Sequence, residues 1–255
     1  KAGEYAFAPG VSPAEALAQL REGRVVVHRL TVPEGLTSAQ VARLLADTEG
    51  LIHDLKDIPA EGILLPETYD FIRDDRSSVL VDRMATAHAR KLAALWQDRA
   101  DGLPFSTPEE ARVLASIVEK ETGIAAERPR IAGVFINRLR RGMRLQSDPT
   151  VVYAVSAGAG PLGRPLTLAD LRIDNPYNTY KVSGLPPGPI TNPGAAAMAA
   201  VLQPAATDEL YFVADGTGGH AFATTLREHN RNVAKWRRIN RQTEPATDAI
   251  DSTGN

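Results

Sequence analysis

The chain has 255 residues, 43% hydrophobic and 24% charged, which excludes fibrous, collagen-like and wholly disordered proteins. Its 29 Lys and Arg against 31 Asp and Glu give a formal net charge of −2, so the chain as a whole lacks the positive field of a nucleic-acid-binding protein. Without cysteine, the sequence offers no disulfide scaffold, thiol nucleophile or Cys-based zinc site.

The ends of the chain bear on its relation to a membrane. The longest apolar runs, such as residues 195–202, are far shorter than the roughly 20 residues of a membrane helix. The chain begins at Lys1 without an initiator Met. We therefore expect a piece of a longer protein, from which an export signal or anchor has been removed.

The first 55 residues predict a small α+β module. In chain order, the patterns indicate a helix over residues 12–21, a strand over 25–32, a Pro-Glu-Gly turn at 33–35 and a helix over 38–46. Residues 48–62 mix charges, Gly and Pro without a sustained period, as is typical of a connector. The sequence thus predicts a boundary between this module and a second domain at residues 62–240.

The second domain is predicted to be mainly helical. Helices are expected over residues 77–99, 107–123 and 126–141, the second marked by a Thr107 cap and Pro108. A loop-rich stretch to residue 194, a short Ala-rich helix and a strand pair at 210–213 and 220–224 follow. The polar residues 241–255 are expected to form a mobile tail.

One carboxylate in the helix over 107–123 is placed for acid catalysis. At 100° per residue, Glu121 falls within about 20° of Leu114, in the apolar stripe, whereas Glu119 lies about 140° away and is expected to be solvated. A carboxylate against apolar surface has a raised pKa, as a general acid near neutral pH requires. The alternative is a helix-end Glu121 that reaches solvent or pairs with an Arg.

An arginine-rich segment follows that helix. Residues 127–144 hold six arginines against one acid, a local balance of +5. Such a patch suits phosphates, carboxylated sugars or peptide carboxyl groups, while the alternative is a solvated helix face with ordinary ion pairs. Because interleaved aromatic residues are missing from the segment, single-stranded nucleic acid is disfavoured.

Other common catalytic patterns are missing. The Gly cluster at 216–219 lacks the Lys of a phosphate loop, the five His residues have no metal-binding spacing on a helix, and no Gly-x-Ser-x-Gly pattern occurs. We therefore expect no metal ion and no cofactor. What remains is one well-placed Glu and polar loops rich in Asn, Gln, Tyr and Pro, which are typical of a carbohydrate-binding groove.

Several blocks in consistent order resemble the YceG-like family of endolytic murein transglycosylases. They are LLPETYDF (64–71), IVEKET (117–122), ERPRIAGVFINRLRRGMRLQSDPTVVY (127–153), NPYNTY (175–180), GLPPGPITNPG (184–194) and LYFVADGTGGHAF (210–222). The resemblance implies an α+β protein: a lysozyme-like, mainly helical catalytic domain with a β-hairpin, preceded by a small LysM-like module. The resemblance covers about residues 64–238, and departures from the family fall at the chain ends and in the Gly-rich loop at 158–164.

The resemblance also implies an activity. The family cleaves MurNAc-GlcNAc bonds within nascent peptidoglycan strands and leaves 1,6-anhydro-MurNAc ends, and its catalytic acid falls on Glu121. It further implies a single-pass anchor in the bacterial cytoplasmic membrane, with this region on the periplasmic or extracellular side. Peptidoglycan strands are the expected substrate, cell-wall synthases are candidate partners, and nucleic acid is not expected as a ligand.

Supporting site residues follow from the same blocks. Gln146, Ser147 and Asp148 are candidates for binding sugar amide and hydroxyl groups, and Tyr177, Asn178 and Tyr180 resemble the Tyr-Asn element that lines the cleft of other lytic transglycosylases. For each of these six residues the alternative is a polar contact that fixes a loop.

Three other functions stay open at this point. The chain could be a hydrolysing muramidase, a non-catalytic peptidoglycan-binding or divisome scaffold protein, or, more remotely, a nucleic-acid-binding module built on the arginine-rich segment.

Overall fold

The computed structural model describes residues 2–243, which form eight α-helices and six short strands. The helices are α1 (Pro13–Glu22), α2 (Ser38–Ala46), α3 (Ser77–Gln97), α4 (Pro108–Glu121), α5 (Arg128–Arg140), α6 (Asp148–Ser156), α7 (Ala195–Leu202) and α8 (Leu226–Thr243). The strands are β1 (His28–Thr31), β2 (Leu51–Ile52), β3 (Thr68–Phe71), β4 (Asp75–Arg76), β5 (Tyr211–Ala214) and β6 (His220–Ala223). From residue 244 onwards, the predicted tail at 241–255 lies outside the described residues. The fold is thus a mixture of helices and small sheets, as the sequence predicts.

Three helices begin where the sequence predicts because they carry capping boxes. In each, a Ser or Thr side chain accepts a backbone N–H bond from the third helical residue, whose own side chain accepts a bond from the cap backbone. The pairs are Ser12 with Glu15, Thr37 with Gln40, and Thr107 with Glu110. This local chemistry fixes the starts of α1, α2 and α4.

The strands form three two-stranded sheets. Strand β1 pairs antiparallel with β3, β2 pairs parallel with β4, and β5 pairs antiparallel with β6. The partners of β1 and β2 lie at residues 68–76, beyond the connector at 48–62. The N-terminal sheets therefore contain strands from both sides of the expected boundary. The division into residues 1–55 and 62–240 stays a prediction.

Two apolar cores organise these elements. The first joins the N-terminal sheets, α2 and the start of α3 through Leu30, Val41, Leu45, Leu64, Leu80 and Met84. The second joins α4, α5 and α7 through Leu114, Ile117, Ile131, Phe135, Met198 and Val201. Because α4 is buried along most of its length in the second core, its position is set by packing on several sides.

The structure departs from the sequence-based prediction in several places, among them the unpredicted short strands β2, β3 and β4. Residues 148–156, within the stretch expected to be loop-rich, form α6, and residues 226–243, for which no element was predicted, form α8. Helix α4 ends at Glu121 with Thr122 as its C-cap, not at Gly123. In residues 2–243, none of the helices combines the length and apolar character that crossing a membrane requires.

Glu119 connects the two cores, and the prediction that it is solvated is wrong. Its side chain is 3% exposed, its Oε1 accepts from Arg128 Nη2 at 3.0 Å, and its Oε2 accepts from the backbone N–H of Gly194 at 2.8 Å. The same Arg128 Nη2 donates at 3.0 Å to Oε2 of Glu34, in the N-terminal turn. Arg128 therefore joins the N-terminal turn to α4, and Glu119 in turn joins α4 to the residue before α7.

The N-terminal turn has a second attachment at Asn192, which is fully buried. Gly35 N–H donates to the Asn192 carbonyl at 3.3 Å, and Asn192 N–H donates to the Leu36 carbonyl at 2.9 Å. The Asn192 side chain accepts from Leu64 N–H at 2.9 Å. The turn is thus held to the segment before α7 by backbone and side-chain bonds together.

We expect Arg128→Met to destabilise the protein strongly, because it leaves the Glu119 carboxylate buried without its cation. A loss of about 3–5 kcal/mol in the free energy of unfolding is the usual cost of such a change. Denaturant unfolding at pH 7 measures it. The matched control is Arg24→Met, which removes an ion pair whose two side chains are about 60% exposed and should cost less than about 1 kcal/mol. Equal effects of the two substitutions would contradict this assignment.

Candidate active site

The end of α4 opens into a cleft of about 420 Å³. One wall carries Glu121, Arg138, Gln146, Asp148 and Tyr180; the other is formed by the β5–β6 hairpin and α8, with Phe212, His220, His229 and Val233. Glu121 is thus the α4 carboxylate that faces this cleft, while Glu119 binds Arg128 and Gly194 inside the protein.

Glu121 is half-buried at the end of α4 and accepts one short hydrogen bond. Its Oε1 accepts from Ser147 Oγ at 2.5 Å. Desolvation raises the pKa of Glu121 to about 7, and the negative charge of Asp148 adds to the rise, while the Ser147 hydrogen bond and the Arg138 cation oppose it. Near neutral pH, Glu121 can therefore both donate and accept a proton.

The start of α6 brings Ser147 to Glu121. Ser147 is buried, and its N–H donates to Thr179 Oγ1 at 3.0 Å. Gln146 has a φ of +51°, a left-handed conformation that turns the chain into the helix, and its N–H donates to the Thr179 carbonyl at 3.2 Å. These bonds hold the Gln-Ser-Asp segment in place, with Ser147 towards α4 and the exposed Gln146 and Asp148 on the cleft.

Tyr180 closes the same side of the cleft. Its hydroxyl donates to Asp148 Oδ1 at 2.6 Å, and its backbone carbonyl accepts from Arg144 Nη1 at 3.1 Å. Desolvation and the neighbouring Asp148 raise the pKa of the Tyr180 phenol well above its usual range. Tyr180 therefore stays a hydrogen-bond donor at any pH near neutrality.

Two of the predicted binding residues do not line this cleft. Asn178 is fully buried, and its Nδ2 donates to the carbonyls of Leu171 and Ile173, while its Oδ1 accepts from Tyr180 N–H at 3.0 Å. The Tyr177 ring packs against Tyr153, with ring centroids 4.9 Å apart. Asn178 thus fixes the loop that carries Tyr180, and the structure brings together Glu121, Gln146, Ser147, Asp148 and Tyr180.

The arginine-rich segment has mainly internal partners. Arg138 is buried and donates to the carbonyls of Leu210, at 2.6 Å, and Leu145, at 2.7 Å. Arg130 pairs with Glu209 and lies 4.0 Å from the centroid of the Phe222 ring. Arg138 thus contributes a fixed positive charge at the cleft, while Arg130 holds the β5–β6 hairpin against α5.

The opposite wall of the cleft contains residues that sequence reasoning did not select. His220 is held by Glu127, which accepts from its backbone N–H at 3.0 Å and lies 2.7 Å from its Nδ1. The ring of His229 stacks on Tyr211 at 5.2 Å. Burial lowers the pKa of His229, and Arg138 adds to this effect. The LYFVADGTGGHAF block contains His220, but its strand pattern predicts only a hairpin. His229 lies on α8, which the sequence did not predict.

This arrangement suits proton transfer on a polymer that carries hydroxyl and amide groups. A single desolvated carboxyl group lies at the base of an open cleft, and amide, carboxylate and phenol groups surround it. Such a site can protonate a leaving oxygen and then take a proton from a nearby hydroxyl.

Comparisons with known proteins identify the family. A family model described as the YceG-like family matches residues 1–235. A protein of Bacillus subtilis named endolytic murein transglycosylase is 34% identical over 92% of this chain and 73% of its own length. A Streptococcus pneumoniae protein of the same name is 32% identical over 92% of this chain, which spans half of that relative.

A solved structure agrees with these matches. The crystal structure of a yceG-like protein from Listeria monocytogenes superposes with a TM-score of 0.66 at 33% identity, covering 89% of this chain and 83% of that one. With the family model matching nearly the whole described chain, this protein belongs to the YceG-like family.

Proposed function

We propose that this protein is an endolytic lytic transglycosylase that cleaves the MurNAc-GlcNAc bond inside peptidoglycan strands, with Glu121 as its acid and base. The observation that carries the proposal is the Glu121 carboxyl group, which desolvation brings to a pKa of about 7 in the open cleft. The shared name of relatives 32–34% identical over 92% of the chain, endolytic murein transglycosylase, supports it.

In the first step, protonated Glu121 donates its proton to the glycosidic oxygen. The bond from that oxygen to C1 of the muramic acid breaks, and an oxocarbenium-like centre develops. The Asp148 carboxylate on the cleft wall favours this positive charge. The Ser147 hydroxyl, at 2.5 Å, stabilises the carboxylate that Glu121 becomes.

In the second step, the Glu121 carboxylate takes the proton from the 6-hydroxyl of the same muramic acid. The oxygen closes on C1 and gives the 1,6-anhydro ring, so the enzyme regains its proton and consumes no water. A second carboxylate that activates water is not required. Gln146 and Tyr180, both on the cleft, are the side chains that we assign to binding sugar hydroxyl and amide groups.

The setting of the site follows from the same family. We propose that residues 62–240 form a lysozyme-like catalytic domain, that residues 1–55 belong to a LysM-like module, and that this region acts outside the cytoplasmic membrane, tethered by a single-pass anchor. Cell-wall synthases, which make the strands that such an enzyme cuts, are the proposed protein partners.

The alternative function, a hydrolysing muramidase, is best supported by Asp148. A hydrolase uses a second carboxylate to activate water or to attack the sugar, and Asp148 lies in the same cleft as Glu121. The mass of the products separates the two reactions, because hydrolysis adds one water to the new sugar end. A scaffold protein would bind strands and release no fragments.

We expect Glu121→Gln to abolish release of anhydro-muropeptides from isolated glycan strands, because the amide cannot donate the proton. Liquid chromatography with mass spectrometry measures the products. Turnover retained by this variant would refute the assignment of Glu121. The fold should persist, since Ser147 Oγ can still donate to the Gln oxygen.

The same substitution should affect stability in a pH-dependent way. Because the pKa of Glu121 is raised in the folded protein, the folded state keeps a proton that the unfolded chain loses above about pH 4.5. Wild-type stability therefore falls as pH rises from about 4.5 to 7, by up to about 3 kcal/mol. Glu121→Gln should stabilise the protein at pH 8 and have little effect at pH 4.5, as measured by thermal unfolding.

Two neighbours of Glu121 should move the pH dependence of catalysis in opposite directions. Activity requires protonated Glu121 and should decline as pH rises through about 7. Ser147→Ala removes a hydrogen bond that lowers the Glu121 pKa, so this alkaline limb should move up by about one pH unit. Asp148→Asn removes a nearby negative charge, so the limb should move down.

Rates of strand cleavage between pH 5 and 9 measure these shifts. Asp208→Asn removes an exposed carboxylate outside the cleft and should leave the profile unchanged. Shifts of the same sign in the two variants would contradict the electrostatic account. Complete inactivity of Asp148→Asn would favour the hydrolase.

A further inference from the structure

A second cavity, of about 210 Å³, lies between the N-terminal module and the catalytic cleft. Gly35, Thr37 and Gln40 of the module line it on one side. The other side is formed by Lys120 at the end of α4 and by one face of α6, with Asp148, Pro149, Val152, Tyr153 and Ser156. Asp148 lines both this cavity and the catalytic cleft, so a branched ligand can occupy the two together.

The Gly-rich loop at 158–164 gives this cavity its outer edge. Gly160 and Pro161 line it, and Gly160 packs against the Gln40 side chain, so closely that an added Cβ would lie 3.2 Å from the Gln40 amide. Arg43 Nη2 donates to the carbonyl of Ala159. The loop is therefore fixed to α2 of the N-terminal module, and the cavity exists only where the module and the catalytic domain meet.

The lining of the cavity is mainly apolar. Pro149, Val152, Tyr153, Pro161 and Ile190 contribute carbon surface. Its volume is below the roughly 300–1,000 Å³ of a pocket for a whole drug-sized ligand. The cavity thus suits a small substituent with methyl groups better than a further sugar of the strand.

Lys120 gives the cavity a positive charge. Its Nζ donates to the Gly35 carbonyl at 3.3 Å. An ammonium group has three donors, so this bond leaves capacity for an incoming carboxylate. Because Asp148 lines both this cavity and the cleft with Glu121, a carboxylate bound to Lys120 belongs to a group attached close to the bond being cleaved.

We propose that this cavity binds the peptide branch of the muramic acid next to the cleaved bond, with its alanyl methyl group against the apolar lining and a peptide carboxylate on Lys120. This inference rests on the proposed function, because the strand in the catalytic cleft supplies the branch. It makes the N-terminal module part of the substrate site and predicts that the enzyme distinguishes peptide-bearing strands from strands stripped of peptides.

Cleavage of the two kinds of strand tests the proposal. We expect wild-type kcat/KM to be about tenfold higher on peptide-bearing strands than on stripped strands, the scale of one charge-assisted contact. Lys120→Met should lose this advantage while cleaving stripped strands at the wild-type rate. Val152→Phe, which fills the cavity from α6, should behave in the same way. Lys91→Met, an exposed lysine on α3, is the matched control and should leave both rates unchanged.

A binding measurement removes the dependence on turnover. In calorimetry, the Glu121→Gln variant should bind a soluble disaccharide that bears L-alanyl-D-glutamate. Its affinity for this compound should exceed that for the same compound with its carboxylates converted to carboxamides. Adding Lys120→Met should abolish that difference.

The outcomes separate the two proposals. If wild-type protein cleaves neither strand, the proposed function fails. If it cleaves both equally, or if Lys120→Met slows both by the same factor, the proposed function stands and the peptide site is refuted. Equal binding of the acid and amide compounds refutes the peptide site as well.

Discussion

The structure depends on the burial of α4, because this helix supplies both the attachment between the two cores and the Glu121 carboxyl group of the candidate site. Glu119 and Glu121 are two residues apart and therefore point to opposite sides of the helix. Burial raises the pKa of both carboxyl groups, but the Gly194 N–H and the Arg128 cation oppose the rise at Glu119, whereas Glu121 has no direct ion pair within the described residues and its pKa rises to about 7. Two carboxylates of one helical turn thus acquire different chemistry from their surroundings.

The surroundings of Glu121 balance opposing effects. Burial and the charge of Asp148 raise its pKa, and the Ser147 hydroxyl and the Arg138 cation restrain the rise. The balance depends on position, since Ser147 is held by Thr179 and Arg138 by three backbone carbonyls. A carboxyl group with a pKa near the working pH needs this rigidity, because small movements of its neighbours would change the fraction that is protonated.

The features that could be predicted from the sequence are those that local sequence patterns determine. The capping box at Thr107 and the apolar period placed α4 and selected Glu121, and the turn between β5 and β6 placed the hairpin. Helix α6 was missed because Val151, Val152 and Tyr153 resemble a strand more than a helix, although Asp148 and Pro149 in its first turn were a usable signal. The burial of Glu119 depends on Gly194, 75 residues away, and a helical wheel cannot show such a partner. The loop-fixing role of Asn178 likewise depends on the carbonyls of Leu171 and Ile173, in the loop-rich stretch before it.

Direct contacts join the N-terminal turn to α4, so the two cannot be considered separately. The turn at Glu34 and Gly35 binds Arg128, which pairs with Glu119, and Lys120, which directly precedes Glu121. It also binds Asn192, before α7. Gly35 has a φ of +76°, a left-handed conformation that favours glycine at this turn. The contacts that dock the module therefore also set the position of Lys120 relative to Glu121. A change in these contacts would alter the shape of the cavity that Gly35 and Lys120 line.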